Sequence, residues 1–336
     1  MNIDVHSHIY PESYIQLLSS RDKAPKIESQ KDGKKLFLFQ NERLITGGAR
    51  NLSTEYYSIE GKIISMGQHS ISKAVLSLGN PWIDFLTGTE AVYWAEKLNA
   101  EIKELCADYS QFRALAVLPL QEIKKAVVMI ENLAADNFFI GFILGTRPAG
   151  RHLDDPYLNP LWDAVENTGK PLFLHPSHAL GIDWMHRYGH AMVQSLGFSF
   201  ETTTAVTRLI LGGVLDRFPS LRFILAYAGG TLPALHRSIN ICVEHDSRAK
   251  RNIRQAFSEY VKKLYFDTIT DSADTLRLLL STAGADKVLY GTDHPFDSVE
   301  PKHRVEMIKE GCGTAAESKK LLYKNGEQWF NRGSLP

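Results

Sequence analysis

The sequence predicts an α/β fold in which eight parallel β-strands close into a (β/α)8 barrel. Eight short runs rich in β-branched or aromatic residues follow one another along the chain: 2–6, 73–78, 112–118, 139–144, 171–175, 222–227, 264–269 and 287–292. Mostly apolar strands separated by helices are typical of a parallel sheet that is covered on both faces. Eight strand–helix units in 336 residues favour a closed barrel over an open, doubly wound sheet.

Helical patterns occupy several of the segments between these runs. Residues 89–106 begin at Thr89, which suits a helix start, and carry one apolar face formed by Ala95, Leu98, Ile102 and Leu105. Similar patterns, bounded by Pro, Gly or Asp, predict helices at 199–213, 231–246, 272–281 and 300–310. A last helix is expected outside the barrel, at 314–331.

The segment 10–52 interrupts this alternation. It is too long for an ordinary connection between a strand and its helix, and it contains a helix-like piece followed by strand-like pieces such as KKLFLFQ. We expect a small insertion subdomain over the carboxyl end of the first strand. The rest of residues 1–336 is predicted to form one barrel domain.

Charge and composition exclude several classes of partner. Lys and Arg together number 38, as do Asp and Glu, so the chain lacks the excess of basic residues typical of proteins that bind nucleic acid or anionic membranes. No apolar run approaches the length of a membrane span. The three widely spaced cysteines are typical of buried thiols in a reducing compartment. These features predict a soluble, cytoplasmic protein whose partner is a small molecule.

Side chains that bind metals lie at the ends of three predicted strands. His6 and His8 are two residues apart, so both point to the same face of the first strand, while His175 ends the fifth strand and Asp293 follows the eighth. Active sites of such barrels lie at the carboxyl ends of the strands, so these four side chains are expected to converge. Three imidazoles and one carboxylate suit zinc or a similar divalent ion. The fourth strand ends in FIGFILGTRPAG, without a lysine that could bridge two metals, so one ion per chain is expected.

Longer stretches resemble a known family. They are HSHIYPESYIQLLSSR, SLGNPWIDFL, LDDPYLNPLWDAVE, YGHAMVQSLGFSFETTTAVTRLILGGVLDRFP and YGTDHPF. Together with FLHP around His175, they resemble the amidohydrolase superfamily, in particular its aminocarboxymuconate-semialdehyde decarboxylase branch and the fungal isoorotate (5-carboxyuracil) decarboxylase type. The resemblance implies a zinc-dependent, oxygen-independent decarboxylase in a distorted TIM barrel, and a homodimer.

The resemblance also implies roles for individual residues. It makes His6, His8, His175 and Asp293 the metal ligands, and it implies substrate-binding positions at Arg50, Asn80, His175, Phe198 and Phe296. Arg50 would grip a substrate carboxylate, for which a guanidinium fork is suited. The residue types alone favour a solvated surface arginine at Arg50 and a core residue at Phe198, and they are consistent with a turn residue before Pro81 at Asn80.

One position departs from the family pattern. In LAYAGGT, Tyr227 stands where the family has a catalytic histidine. A phenol has an ordinary pKa of about 10, so it cannot act as the same general base, although it can donate a hydrogen bond. Three explanations stay open: a mechanism that does not need this base, a divergent member with altered substrate or lost activity, or a deliberate inactivating change. Tyr227→His is predicted to raise the rate of decarboxylation with little change in metal content.

The predicted reaction is loss of CO₂ from a small unsaturated or aromatic carboxylate, above all 5-carboxyuracil. Direct departure would leave an unstabilised carbanion, so Asp293 is the candidate donor of a proton to the carbon that carries the carboxylate. Manganese or cobalt are alternatives to zinc as the metal. Aminocarboxymuconate semialdehyde and hydroxybenzoates are alternative substrates. A mononuclear metal hydrolase and a catalytically silent binding protein are the alternatives from other functional classes.

Overall fold

The computed structural model describes residues 1–40, 48–185, 187–270, 272–296 and 300–332. Within these ranges the strands are β1 Asn2–Ile9, β2 Lys26–Gln30, β3 Gly33–Phe37, β4 Arg50–Asn51, β5 Ile71–Leu78, β6 Phe112–Ala116, β7 Phe139–Gly145, β8 Leu172–His175, β9 Phe223–Leu225, β10 Tyr265–Asp267 and β11 Val288–Leu289. Eight of them form one parallel sheet in the order β1-β5-β6-β7-β8-β9-β10-β11. The predicted (β/α)8 barrel is therefore confirmed.

The barrel closes where β11 meets β1. The backbone N–H of Val5 donates to the carbonyl of Tyr290 over 2.9 Å, and that of Asp293 donates to the carbonyl of His6 over 2.8 Å. Gly291 makes this approach feasible, because a Cβ atom at that position would lie 2.8 Å from the Cβ of His6. Closure thus brings Asp293 beside the two histidines of β1.

Helices cover the sheet, as the sequence predicts, and several lie where no helix was predicted. The helices are α1 Glu12–Ser19, α2 Ile59–Gln68, α3 Gly88–Leu105, α4 Ile123–Leu133, α5 Asn159–Thr168, α6 His190–Met192, α7 Ser199–Leu211, α8 Val214–Arg217, α9 Leu232–His245, α10 Ser247–Lys250, α11 Phe257–Val261, α12 Ala273–Ala283, α13 Pro301–Gly311, α14 Ala315–Lys319 and α15 Asn325–Arg332. A π-helical turn, Val193–Phe198, joins α6 to α7, and another, Lys320–Lys324, joins α14 to α15. No helix of the described ranges is long and apolar enough to cross a bilayer.

The last three barrel strands are shorter than the sequence pattern predicts. The predicted runs 222–227, 264–269 and 287–292 become β9, β10 and β11, which have three, three and two residues. Residues with left-handed backbone follow two of these strands: Tyr227, two residues after β9, has φ of 52°, and Asp293, four residues after β11, has φ of 68°. Both residues carry functional side chains and adopt strained backbone conformations near the carboxyl ends of the strands.

The described part of segment 10–52 contains α1 and a separate antiparallel sheet in the order β2-β3-β4. Strand β3 pairs with β2 over five residues and with β4 at Leu36, which lies opposite Arg50. Residues 41–47 of the predicted insertion lie outside the described residues. The small sheet brings Arg50 towards the barrel mouth.

Candidate metal centre and substrate pocket

Four predicted ligands converge at the carboxyl ends of the barrel strands. Ligand atoms of His6, His8, His175 and Asp293 all lie within 4.8 Å of one another, and all four residues are buried. The Nε2 atoms of His6 and His8 are 3.1 Å apart, and Oδ1 of Asp293 lies 3.3 Å and 3.0 Å from them, respectively. The three barrel strands that the sequence singles out therefore deliver their side chains to one point.

Each histidine is oriented through its other ring nitrogen. Nδ1 of His6 lies 2.7 Å from Oδ2 of Asp267, Nδ1 of His8 lies 2.9 Å from the Ser77 hydroxyl, and Nδ1 of His175 lies 2.7 Å from the Pro176 carbonyl. Such outer partners fix the tautomer and ring orientation of metal-binding histidines. All three Nε2 atoms are consequently turned towards the centre of the site.

The donor set fits a divalent cation. Nε2 of His175 is buried and has no hydrogen-bond partner among the described residues, as expected of an atom reserved for a metal. Burial and then the charges of His6 and His8 hold the pKa of His175 well below its usual value, so this imidazole is neutral. Burial lowers the pKa of His6, but Asp293 and Asp267 outweigh it and raise that pKa to about 10. Three imidazoles and the Asp293 carboxylate thus form a buried donor set that suits a divalent ion.

Asp267 is a site residue that the sequence analysis did not single out. It ends β10, is fully buried, and accepts hydrogen bonds from the backbone N–H groups of Tyr227, Ala228 and Ile269 over 2.8–3.1 Å, besides its contact with His6. The sequence signal that could have identified it is its position, since it is a carboxylate at the carboxyl end of a barrel strand. The same side chain therefore orients His6 and fixes the turn that carries Tyr227.

Tyr227 lies against the metal-binding side chains. Its ring centroid is 5.3 Å from that of His175 and 5.8 Å from that of His6, and its hydroxyl donates to Oδ2 of Asp293 over 2.8 Å. Burial and the neighbouring Asp293 charge raise the pKa of the phenol well above its usual value. Tyr227 is therefore a neutral hydrogen-bond donor, as its residue type predicts.

Two glycines make the turn after Tyr227 feasible. Gly229 and Gly230 have φ of 74° and 65°, and a Cβ at Gly230 would lie 2.3 Å from the carbonyl oxygen of Ser199. The chain can pass so close to the start of α7 only without a side chain. The glycine pair thus holds Tyr227 between the metal-binding histidines and the helix that carries Phe198.

The predicted substrate-binding residues line one pocket with three of the metal-binding residues. The pocket measures about 450 Å³, its mouth included, and its walls include Arg50, Asn80, Phe198, Phe296, Tyr227, His8, His175 and Asp293. A lining of aromatic side chains with a few polar groups is typical of a site for a small ligand. Phe198 ends the π-helical turn and lies 6.1 Å from Tyr227 between ring centroids, whereas Phe296 follows β11 and faces His8 at 5.7 Å.

Two polar side chains in this pocket carry unused hydrogen-bonding atoms. Nε of Arg50 and Oδ1 of Asn80 are buried without partners among the described residues. The Arg50 guanidinium lies over the Phe296 ring, 5.1 Å from its centroid. Burial and the charge of Arg50 also lower the pKa of His190, another residue of the pocket wall, to about 4. Arg50 is therefore a pocket residue and not a solvated surface arginine, whereas Asn80 lies in the expected turn before Pro81 and also lines the pocket.

Known proteins share this fold and resemble this sequence. The family model described as amidohydrolase matches residues 80–332. The 2-amino-3-carboxymuconate-6-semialdehyde decarboxylase of Dictyostelium discoideum is 29% identical over 237 residues, which cover 68% of this chain and 64% of that protein. This chain thus matches less than two thirds of the length of that relative.

Two solved structures extend the likeness over nearly the whole chain. IDCase of Metarhizium anisopliae, solved in apo form, has a TM-score of 0.92 and 31% identity, covering 99% of this chain and 97% of its own. A dihydroxybenzoic acid decarboxylase from Polaromonas sp. JS666, solved with manganese and the inhibitor 2-nitroresorcinol, shares the fold with a TM-score of 0.75 and 22% identity, covering 98% and 96%.

The predicted family and the predicted class of enzyme, a carboxy-lyase, are confirmed. The relatives named as decarboxylases are carboxy-lyases, and the family match spans most of the barrel, from the end of β5 to α15. The described site lies on the strands of that barrel. The chain therefore belongs to the amidohydrolase family.

Proposed function

We propose that the protein is a metal-dependent, non-oxidative decarboxylase that converts 5-carboxyuracil to uracil. One observation carries the proposal: the pocket that opens onto His8, His175 and Asp293 presents a free guanidinium N–H at Arg50 and a free amide oxygen at Asn80. A planar ring with a carboxylate and a ring N–H complements both groups. The likeness to IDCase, an isoorotate decarboxylase, supports the same substrate.

The metal we propose is zinc, held by His6, His8, His175 and Asp293, with manganese or cobalt as alternatives. Three imidazole nitrogens and one carboxylate oxygen suit all three ions. The manganese in the Polaromonas enzyme supports manganese as an alternative to zinc. When bound, the ion acts as a Lewis acid and as a template for the substrate carboxylate and a neighbouring oxygen.

The pocket residues hold the ring in place. Arg50 binds the substrate carboxylate, since its planar fork matches two carboxylate oxygens. Asn80 accepts a hydrogen bond from a ring N–H through its free Oδ1. Phe198 and Phe296 contact the ring and keep water from it, which strengthens the charge interactions in the site.

Asp293 supplies the proton in this proposal. The protonated carboxyl donates to the ring carbon that bears the carboxylate, so this carbon becomes tetrahedral and the ring double bond opens. The bond to the carboxylate carbon then breaks, CO₂ leaves, and the electron pair of that bond restores the double bond. The ring gains one hydrogen, and Asp293 returns to a carboxylate.

Protonation of Asp293 depends on its surroundings. Burial opposes ionisation, but the charge of His6 and hydrogen bonds from His6 and His8 hold the pKa of this carboxyl well below its usual range. An anionic substrate adds a like charge beside Asp293, which favours uptake of a proton. Tyr227 holds Oδ2 at a fixed position throughout, because its hydroxyl donates to that atom.

The experiment is a comparison of substrates on the zinc-loaded and the manganese-loaded protein. We expect release of CO₂ from 5-carboxyuracil with kcat/KM at least about tenfold above that for 2,6-dihydroxybenzoate or aminocarboxymuconate semialdehyde. A higher value for 2,6-dihydroxybenzoate would instead support the hydroxybenzoate alternative, which the Polaromonas enzyme suggests. Hydrolysis of esters or lactones without CO₂ release would overturn the decarboxylase proposal.

Arg50→Gln tests the proposed carboxylate grip. Removal of a charged hydrogen-bonding partner is expected to raise KM for 5-carboxyuracil by roughly 10- to 100-fold, with metal content unchanged. Arg50→Lys keeps the charge but loses the planar fork, so its KM should lie between those of the unchanged protein and Arg50→Gln. The exposed Arg248 pairs with the nearby Asp246 on the surface, so Arg248→Gln serves as a control that should match the unchanged protein. An unchanged KM in Arg50→Gln would remove Arg50 from the site.

Two substitutions distinguish the roles of Tyr227. Tyr227→Phe removes the hydroxyl that donates to Asp293 and is expected to lower kcat about tenfold, since hydrogen bonds to charged groups contribute roughly 1.5–3 kcal/mol. Tyr227→His is expected to raise kcat, as the family pattern predicts, with little change in metal content. If Tyr227→His lowers turnover as Tyr227→Phe does, the phenol is a working part of this protein's own mechanism.

We also propose that the protein is a homodimer in the cytoplasm. Apolar side chains on the segment after β8 support the first statement, since Trp184 and Tyr188 are 88% and 67% exposed. Large exposed aromatic groups are typical of association surfaces. The location stays a prediction from composition.

A further inference from the structure

A buried arginine outside the proposed machinery has no counter-charge among the described residues. Arg304 lies on α13 with only 2% of its surface exposed. Its one hydrogen bond within the described ranges runs from Nη1 to the Thr270 carbonyl over 3.5 Å, and its Nε is buried without a partner. No carboxylate of the described residues lies within ion-pair distance of it, in contrast to other arginines such as Arg208, which pairs with Asp154.

The guanidinium lines a polar chamber of about 1220 Å³, mouth included, beside the substrate pocket. The two spaces share Tyr227, Asp293 and Phe296 in their walls. Its walls also carry several residues with hydroxyl groups: Ser195, Ser199, Thr270, Thr275 and Thr292. Thr275 belongs to the first turn of α12, whose N-terminal end carries partial positive charge.

The charges of the chamber are not balanced by its own walls. Asp293 is its sole carboxylate in the described ranges, and both oxygens of that group are engaged, Oδ1 with the histidines and Oδ2 with Tyr227. Burial lowers the pKa of His190, which also lines the chamber, to about 4, so it adds no charge near neutral pH. An unpaired buried guanidinium is costly, and an anion placed beside it would remove that cost.

We propose that Arg304 is the centre of a second binding site, which takes an oxyanion of the carboxylate or phosphate type. Guanidinium N–H groups are suited to such ligands because they present several donors in one plane. The hydroxyl groups nearby and the start of α12 add to a setting that favours negative charge. The occupant is either a free anion or a second acidic group on a ligand whose ring lies in the adjoining pocket.

Titration calorimetry of the metal-loaded full chain with sodium phosphate, at constant ionic strength, tests the site. We expect binding to be at least about tenfold weaker in Arg304→Gln and a few-fold weaker in Arg304→Lys, which loses the fork. Arg248→Gln, which removes an arginine with 86% of its side chain exposed, should bind phosphate as the unchanged protein does. If Arg304→Gln does not fold, the loss of phosphate affinity in Arg304→Lys tests the proposal.

A second arm identifies the source of the anion. Benzene-1,3-dicarboxylate and benzoate are titrated into the same variants. Loss of affinity in Arg304→Gln for the dicarboxylate, but not for benzoate, assigns the site to a second acidic group of a ring ligand. Loss of affinity in Arg304→Gln for phosphate alone assigns the site to a free anion.

Arg304-independent binding of both phosphate and the dicarboxylate overturns the proposal, as does absence of any binding heat in the unchanged protein. Neither arm requires turnover. Failure of the decarboxylase proposal would therefore leave this result interpretable.

Discussion

His6→Ala is expected to lose its bound metal and its decarboxylase activity together, with kcat/KM at least about 1000-fold lower. Nε2 of His6 lies 3.1 Å from Nε2 of His8 and 3.3 Å from Oδ1 of Asp293, so its removal opens the donor set on one side. The fold should survive, because Asp267 keeps its three backbone N–H donors after the imidazole is gone. Metal content by mass spectrometry, circular dichroism and CO₂ release are the measurements.

Two companion variants separate loss of a ligand from loss of any histidine or of an orienting group. His245→Ala removes an exposed imidazole at the end of α9 and should retain metal and activity. Asp267→Asn disturbs the 2.7 Å contact that orients His6 and is expected to weaken metal affinity by roughly 10- to 100-fold, with activity restored by excess metal. Stoichiometric metal and full turnover in His6→Ala would show that the metal lies elsewhere.

The barrel and the ligand set are predictable because both depend on local patterns. Apolar runs of strand length mark the eight strands, and the spacing of two between His6 and His8 fixes their common face whatever surrounds them. Active sites of barrels lie at one end of the sheet, so the sequence positions of His175 and Asp293 imply convergence. Neither step requires knowledge of long-range packing.

Helix α4 shows where local patterns fail. Its sequence, IKKAVVMIENL, contains β-branched residues that lower intrinsic helix preference and resemble a strand. Packing of its apolar face, which includes Ala126 and Ile130, stabilises the helix and overrides that preference.

Asp267 and Arg304 show a second limit. The partner of Asp267 is 261 residues away along the chain, so its role depends on closure of the barrel. Arg304 lies in PKHRVEMIKEG, where an arginine is expected on a solvated helix face. Its burial depends on how α13 packs against the barrel, which the sequence pattern does not encode.

Two residues that follow β9 and β11 show a related limit. Tyr227 and Asp293 adopt positive φ, which non-glycine residues do at a cost and which surrounding contacts must impose. For Asp293 those contacts include its own N–H to the His6 carbonyl and the N–H of Phe296, which donates to its carbonyl over 2.7 Å. Strain at these two residues positions the hydroxyl and the carboxylate that meet in the pocket.

Asp293→Asn is expected to lower kcat for 5-carboxyuracil by at least about 1000-fold, near the upper range for loss of a proton-transfer group. The amide keeps an oxygen that can face the metal, and it is similar in size, so the variant should retain metal, although with lower affinity. It cannot release a proton to the ring carbon. Loss of turnover in a metal-loaded variant would therefore assign the proton step, and not metal binding alone, to Asp293.

Hydrogen exchange of the product isolates that step from the loss of CO₂. In D₂O the unchanged enzyme should exchange the hydrogen of uracil at the carbon that had carried the carboxylate, because proton transfer to this carbon is reversible. Asp293→Asn should abolish this exchange, which NMR follows directly. Tyr227→Phe should only slow it, since the phenol positions Oδ2 of Asp293 without delivering the proton. Exchange at an undiminished rate in Asp293→Asn would assign the proton to another group.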